Sequence, residues 1–210
     1  LDIEANLTAY LGARTPTDRY ASFDYCFNYF QEFRERDRMP ALVEAAALEY
    51  SSLQLGFYLA SWGMLRGSTV LLKRSVKHLA PVIDVISRSP VEVWNIDAND
   101  YSSENCERII DTARKLRAAI PEGASDTLVT KIMLGVFGSV PAFDTNFKKG
   151  SGFSTFGQGS LKRIGAFYKA NADVIDRLRV TTLDFDTGAP TSRRYSRAKV
   201  IDMIFYVEGS

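Results

Sequence analysis

Apolar positions recur at helical spacing along most of the chain. Between Thr17 and Arg36, the residues Tyr20, Phe23, Phe27, Phe30 and Phe33 fall three or four apart, behind Thr17 or Asp18 as a cap. Pro40 suits the first turn of a helix Ala41–Leu48, which Glu49–Leu59 continues. Gly63 and Gly67 punctuate the chain beyond it. Ser68 can then cap Thr69–Leu79, and Pro81 allows one more segment to about Ile86. Helix is least expected over Ser89–Tyr101, where Pro90 biases Ser89 toward extended backbone and Val91, Val93 and Ile96 fit a short strand or an extended link. Ser102 or Ser103 caps an amphipathic helix with Ile109, Ala113, Leu116 and Ile120 on one face, and Pro121 and Gly123 stop it. Ser125 or Asp126 caps Thr127–Phe137, which ends at Gly138, and Asp144 caps a short helix Thr145–Lys149. Gly150–Gly159, with four glycines, predicts a flexible loop. Ser160–Arg179 predicts a long helix, Thr181–Ser192 a loop or short ribbon, and Ala198–Val207 a final apolar helix. The expected fold is mostly α, a two-lobed helical domain with few or no strands, the lobes being 1–119 and 120–210.

Composition narrows the chemistry. With 46% hydrophobic and 24% charged residues in 210, a sizeable core is affordable and global disorder is not expected. No apolar run reaches the ~18 residues a membrane span needs. The opening LDIEANLTAY resembles neither a secretory leader nor a transit peptide, so an intracellular, cytoplasmic protein is expected. Cys26 and Cys106 form no CxxC pair, and reduced thiols are the expected state. His78 is the sole histidine, which excludes Ser–His–Asp, Cys–His and histidine-rich metal sites together. No cofactor or metal is expected. The net charge of +1 is unevenly spread: Phe147–Lys199 carries 11 Lys/Arg against 4 Asp/Glu, a net of +7, leaving −6 for the rest. Such asymmetry can make one face attractive to phosphate, and solvated helix faces produce it equally well.

The most informative stretch is Ile120–Gly150, IPEGASDTLVTKIMLGVFGSVPAFDTNFKKG. Ile120-Pro121, then Asp144-Thr145-Asn146 with Lys148-Lys149, resembles the helix-hairpin-helix base-excision DNA glycosylases, whose signature joins a Leu-Pro hairpin to an Asp-Thr-His/Asn segment followed by a basic residue. The likeness covers about 31 of 210 residues. It departs from the family at Glu122-Gly123-Ala124, where the family has a Gly-Val-Gly turn that presents N–H groups to a phosphate. It departs again at Asp126, which occupies the place of the Schiff-base lysine of lyase-competent members. Lys131 lies one helical turn further on.

The resemblance implies a two-lobed helical fold in which Asp144 stabilises positive charge on the sugar as an N-glycosidic bond breaks, a monofunctional hydrolysis. The helix dipole favours the ionised form of a carboxylate at that place, and Asp144 can equally be an ordinary helix cap. A flipped base needs stacking faces and a few polar groups. The segment Ser61–Ser68, with Trp62, Met64 and Arg66, is the best supplier, joined by Lys131 and Asn146. Helix packing with Arg66 in a structural ion pair accounts for the same segment. Tyr20, Asp24 and Tyr25 form a second polar-aromatic cluster that reads more readily as a satisfied internal network. Lys148, Lys149, Lys162 and Arg163, with Arg193, Arg194, Arg197 and Lys199, are candidates for a DNA-contacting face. Gly150–Gly159 lacks the GxxxxGK[ST] spacing of a P-loop. The readings left open are a DNA glycosylase, a non-catalytic helical module binding nucleic acid or protein, and a hydrolase of a small nucleoside or nucleotide.

Overall fold

The computed structural model describes residues 1–67, 69–120 and 124–210. The Ser68 cap, the Pro121 and Gly123 stops and Glu122 in the hairpin lie outside the described residues. The chain is mostly helical, with eleven α-helices and one two-stranded ribbon among the described residues.

Helix α1 (Ile3–Gly12), which the periodicity did not single out, is capped by the Asp2 carboxylate on the Ala5 N–H and buries Leu7 and Tyr10. Helix α2 (Ala21–Glu35) begins later than Thr17 because residues 15–20 fold into turns. Its buried Phe23, Phe27 and Phe30 follow the predicted stripe, and each such ring contributes roughly 1.5–3 kcal/mol on burial. A 3₁₀ turn at Met39–Val43 precedes α3 (Ala45–Ser61). The helix expected over Thr69–Leu79 is instead two 3₁₀ turns, Val70–Lys73 and Val76–Leu79, running into α4 (Ala80–Ser87).

The extended link expected near Val91 is a one-turn helix, α5 (Val91–Asn95). Tertiary packing decides it: Trp94 meets Phe137 edge-on at 4.6 Å and donates its indole N–H to the Ser89 carbonyl. Helices α6 (Ser103–Ala119) and α7 (Asp126–Phe137) are capped by Ser102 and Ser125, and Gly138 closes α7 in the left-handed region. Asp144 caps α8 (Thr145–Ser151). The long helix expected over Ser160–Arg179 is two, α9 (Gln158–Ala170) and α10 (Ala172–Arg177). They part at Asn171, whose side chain donates to the Phe167 carbonyl and so competes with the helical backbone. Strands β1 (Thr181–Leu183) and β2 (Pro190–Arg194) pair antiparallel, Thr181 opposite Arg194 and Leu183 opposite Pro190, with an irregularity between. Helix α11 (Arg197–Glu208) ends the fold.

Buried side chains from Leu7 to Phe205 form one contiguous cluster. Two close backbone approaches position the helices that bear the candidate residues. Gly135 of α7 faces the Tyr58 ring of α3, where a Cβ would stand 2.4 Å from Cε1. Gly150 of α8 faces α11, where a Cβ would stand 2.1 Å from the Phe205 carbonyl oxygen. The first part of the glycine-rich stretch is thus a packed helix end rather than free loop. No described helix is long and apolar enough to cross a membrane.

Candidate active site

The Tyr58–Gly135 contact sets α3 and α7 antiparallel, because four residues further along α3 and four back along α7 another contact forms. There Lys131 Nζ donates to the Trp62 carbonyl at 2.7 Å. Trp62 is the residue at which α3 ends, so its carbonyl lacks a helical partner and is free to accept.

The loop from α7 to α8 is stitched at both sides. Thr130 Oγ1 accepts the Phe143 N–H at 2.9 Å, Thr127 Oγ1 donates to the Phe143 carbonyl at 2.8 Å, and Asp202 Oδ1 of α11 accepts the Ala142 N–H at 2.9 Å. Asp144 comes directly after. Its Oδ1 accepts the Phe147 N–H at 3.0 Å as the α8 cap, and its Oδ2 lies 3.3 Å from Lys131 Nζ. The side chains are 6% (Lys131) and 15% (Asp144) exposed, so the pair is nearly but not wholly sealed. Burial lowers the affinity of Lys131 for its proton below the ordinary lysine value, and Asp144 offsets part of that effect.

The pair opens into a hollow of about 380 Å³ whose walls include Arg19, Trp62, Met64, Arg66, Asn146 and Tyr206. Segments distant in sequence therefore converge: all six residues expected to carry catalysis or substrate binding, Asp144, Trp62, Met64, Arg66, Lys131 and Asn146, line one cleft. Arg19, Thr127 and Tyr206 line it as well and were not singled out from the sequence, and Thr145 of the Asp-Thr-Asn segment joins them. Arg19 stood inside an expected helix and Tyr206 inside an apolar one, and no spacing signal separates either from its neighbours.

Trp62 is not an open stacking platform. Tyr20 and Tyr206 meet it edge-on at 5.5 and 5.6 Å. Arg19, Lys131 and Lys199 lie over its ring at 5.4, 5.8 and 5.4 Å. The indole face thus holds two buried ammonium groups, Lys131 and Lys199, and the exposed Arg19 guanidinium close to the carboxylate. Arg19 also donates to the Tyr206 hydroxyl at 2.9 Å. The exposed Arg66 lies against Gly63 and has no ion pair among the described residues.

The remaining basic candidates lie elsewhere. Lys148 and Lys149 fall in the last turn of α8, away from the cleft lining. Lys162 and Arg163 are exposed on α9, Arg163 over the Phe153 ring at 4.5 Å. Arg193 pairs with Glu35, Arg197 with Asp97 and Asp176, and Lys199 with Asp202, so these three are committed to the fold. Asp24 sits in a satisfied network: Tyr195 donates to Oδ1, while Arg14 (3.2 Å) and the Leu183 N–H (3.0 Å) donate to Oδ2. Tyr20 has left that group for the Trp62 cluster, and Tyr25 faces a different surface. Cys26 and Cys106 are free and buried. No group of three or more potential metal ligands converges among the described residues. No protein-family model, curated protein or solved structure matches the chain.

Proposed function

We propose that the cleft is the active centre of a hydrolase that cleaves the N-glycosidic bond of a nucleotide unit in DNA, a divergent enzyme of the glycosylase type. The observation that carries this reading is the Lys131–Asp144 pair at 3.3 Å, set in the wall of a cation-edged hollow. A volume of about 380 Å³ lies in the lower part of the range for small-ligand sites and suits one nucleotide unit rather than a larger ligand. The chain order also agrees with the resemblance: two successive helices, α6 and α7, then a braced loop that delivers an aspartate to the start of the next.

Both partners have work in such a reaction. As the bond from C1′ to the base nitrogen stretches, its electron pair leaves with the base and positive charge grows on the sugar. The Asp144 carboxylate, which lines the hollow, stabilises that charge. Lys131 donates a proton to the departing base, a task suited to an ammonium whose proton is held less tightly than in water. Water adds to C1′ and gives its proton to Asp144. Transfer of that proton across the pair to Lys131 restores the starting state. Arg66 and Arg19 are placed to receive a phosphate oxygen.

The test is base release, measured by chromatography, from oligonucleotides each carrying one deaminated, alkylated or oxidised base. The expected result is release from at least one substrate, reduced at least ~100-fold in Asp144→Asn while binding and thermal unfolding stay nearly unchanged. Equal release by Asp144→Asn, or tight binding of every substrate with no release, overturns the proposal.

A further inference from the structure

Beside the cleft lies a second hollow of about 630 Å³, and Arg19 and Ser61 line both. The cleft is polar and cationic; this groove is aromatic. Tyr25, Leu53, Phe57 and Phe185 face it. Phe57 is 71% exposed and Phe185 75%, and the described ring contact of Phe185 is an edge-on one with Tyr25 at 5.1 Å. Single exposed apolar residues are ordinary on a protein surface. Two solvent-facing phenylalanines turned into one groove, next to a cationic cleft, are a more specific arrangement.

The junction carries the argument. Arg19 is exposed, anchored through the Tyr206 hydroxyl, and stands on the shared wall. A chain with one unit in the cleft and the next in the groove would pass its linking phosphate beside this guanidinium. Asp18 is the acidic residue of the groove lining, and it accepts a hydrogen bond from Thr15 Oγ1 at 2.7 Å.

We propose that the groove takes the base adjoining the one in the cleft, so that the site binds single-stranded nucleic acid, with consecutive bases divided between a polar and an aromatic compartment. This rests on the nucleotide reading of the cleft. Charge and continuity select the occupant: a cation at the boundary fits a phosphodiester, and exposed rings beyond it fit the flat face of any base, which stacks without regard to sequence. A base lying against Phe57 and Phe185 is not stacked in a duplex, hence the single strand.

Equilibrium titration of the full chain with three probes tests the proposal: thymidine 5′-monophosphate, the corresponding dinucleotide, and that dinucleotide with its second base replaced by an abasic sugar. The dinucleotide is expected to bind roughly tenfold more tightly than the monophosphate, within the range one base–aromatic stack supplies. The abasic probe should lose that gain. The double variant Phe57→Ala, Phe185→Ala should lose it too, with monophosphate binding unchanged. Both side chains are largely exposed, so the variant keeps its core. Monophosphate binding without a dinucleotide gain, or a gain that survives loss of the base or of the rings, overturns the groove alone. Absence of binding by all three probes overturns the cleft reading and the groove with it. If the double variant instead changes the particle mass in sedimentation, the groove is a contact between copies and the proposal is overturned.

Discussion

Two lysine–aspartate pairs flank the same indole, and they differ chiefly in what lies on their far side. Lys199 and Asp202, 3.0 Å apart within α11, are 2% and 9% exposed. The ammonium also donates to the Tyr10 hydroxyl at 2.9 Å and lies over Phe23 at 4.6 Å, so it is enclosed by aromatic rings. Lys131 and Asp144 join two elements and border the cleft. The pairs also sense each other: Asp144 raises the proton affinity of Asp202, although burial is the larger cause, and Lys199 lowers that of Lys131. The same two functional groups thus serve as a strut in one place and as candidate chemistry in the other. Access to solvent, rather than residue type, makes the distinction.

Breaking the sealed pair should have the largest effect on stability. Asp202→Ala leaves a buried ammonium without its counter-ion and the Ala142 N–H without its acceptor, at a cost of about 3–5 kcal/mol. The double variant Lys199→Met, Asp202→Asn keeps an acceptor for Ala142 and should recover most of the loss in urea unfolding. Asp144→Asn, by contrast, still caps α8, and Lys131, whose proton burial already loosens, keeps the Trp62 carbonyl as acceptor, so the cost should stay at about 1 kcal/mol. Equal costs for the two aspartates would erase the distinction between strut and site.

The second break targets the proton carried by the open pair. Lys131→Met should lower base release by roughly 10²-fold, the scale of one general acid. The pH profile is the sharper readout. In the parent chain, activity should fall as pH rises through the lowered Lys131 titration, because the acting form is the ammonium. In Lys131→Met that alkaline limb should vanish. A limb unchanged in the variant would assign the proton to another group.

A third carboxylate sharpens the comparison, because its ion-pair partner is an arginine rather than a lysine. Asp24 is fully buried, and burial pushes its pKa up to about 6 despite the opposing bonds from Tyr195 and Arg14. The folded chain therefore holds this proton more tightly than the unfolded chain does. Between the ordinary carboxylate value and about 6, the folded state carries more protons, so the stability from this group falls as pH rises through that window and is flat above it. The difference in unfolding free energy between the parent and Asp24→Asn should shrink by roughly 2–3 kcal/mol from pH 4 to pH 7. A difference that grew with pH would mean that the ion pair to Arg14 outweighs desolvation.

How much of the fold and the cleft was legible in the sequence depends on the range of the interaction involved. Caps are local, and Ser102, Ser125, Gly138 and Asp144 act where the sequence places them. The aromatic stripe of α2 and the ribbon after α10 were readable for the same reason. Long-range packing was not. Trp94 against Phe137 turned an expected extended link into a helical turn, and the Asn171 side chain divided an expected long helix. Within the cleft, Asp144 stood in the Asp-Thr-Asn segment, and Trp62 and Arg66 in the glycine-containing segment Ser61–Ser68. Arg19 and Tyr206 reach it only because the turn before α2 meets α11, where the Arg19 guanidinium donates to the Tyr206 hydroxyl, and no spacing encodes that. The charge excess after Phe147 is not all available to a ligand, since Arg193, Arg197 and Lys199 are tied into ion pairs.

The smallest expected effect on stability separates cations that face the cleft from cations that merely lie near it in sequence. Arg66→Ala removes an exposed guanidinium with no ion pair among the described residues, so unfolding should change by less than about 0.5 kcal/mol. If Arg66 receives a phosphate, the same change should weaken oligonucleotide binding and reduce the slope of log affinity against log salt by about 1. Lys149→Ala, on the α8 turn away from the lining, is the matched control and should leave that slope unaltered. The reverse pattern, with Lys149 altering the slope and Arg66 silent, would put the nucleic acid over the C-terminal end of α8 and leave the Lys131–Asp144 pair beyond its reach.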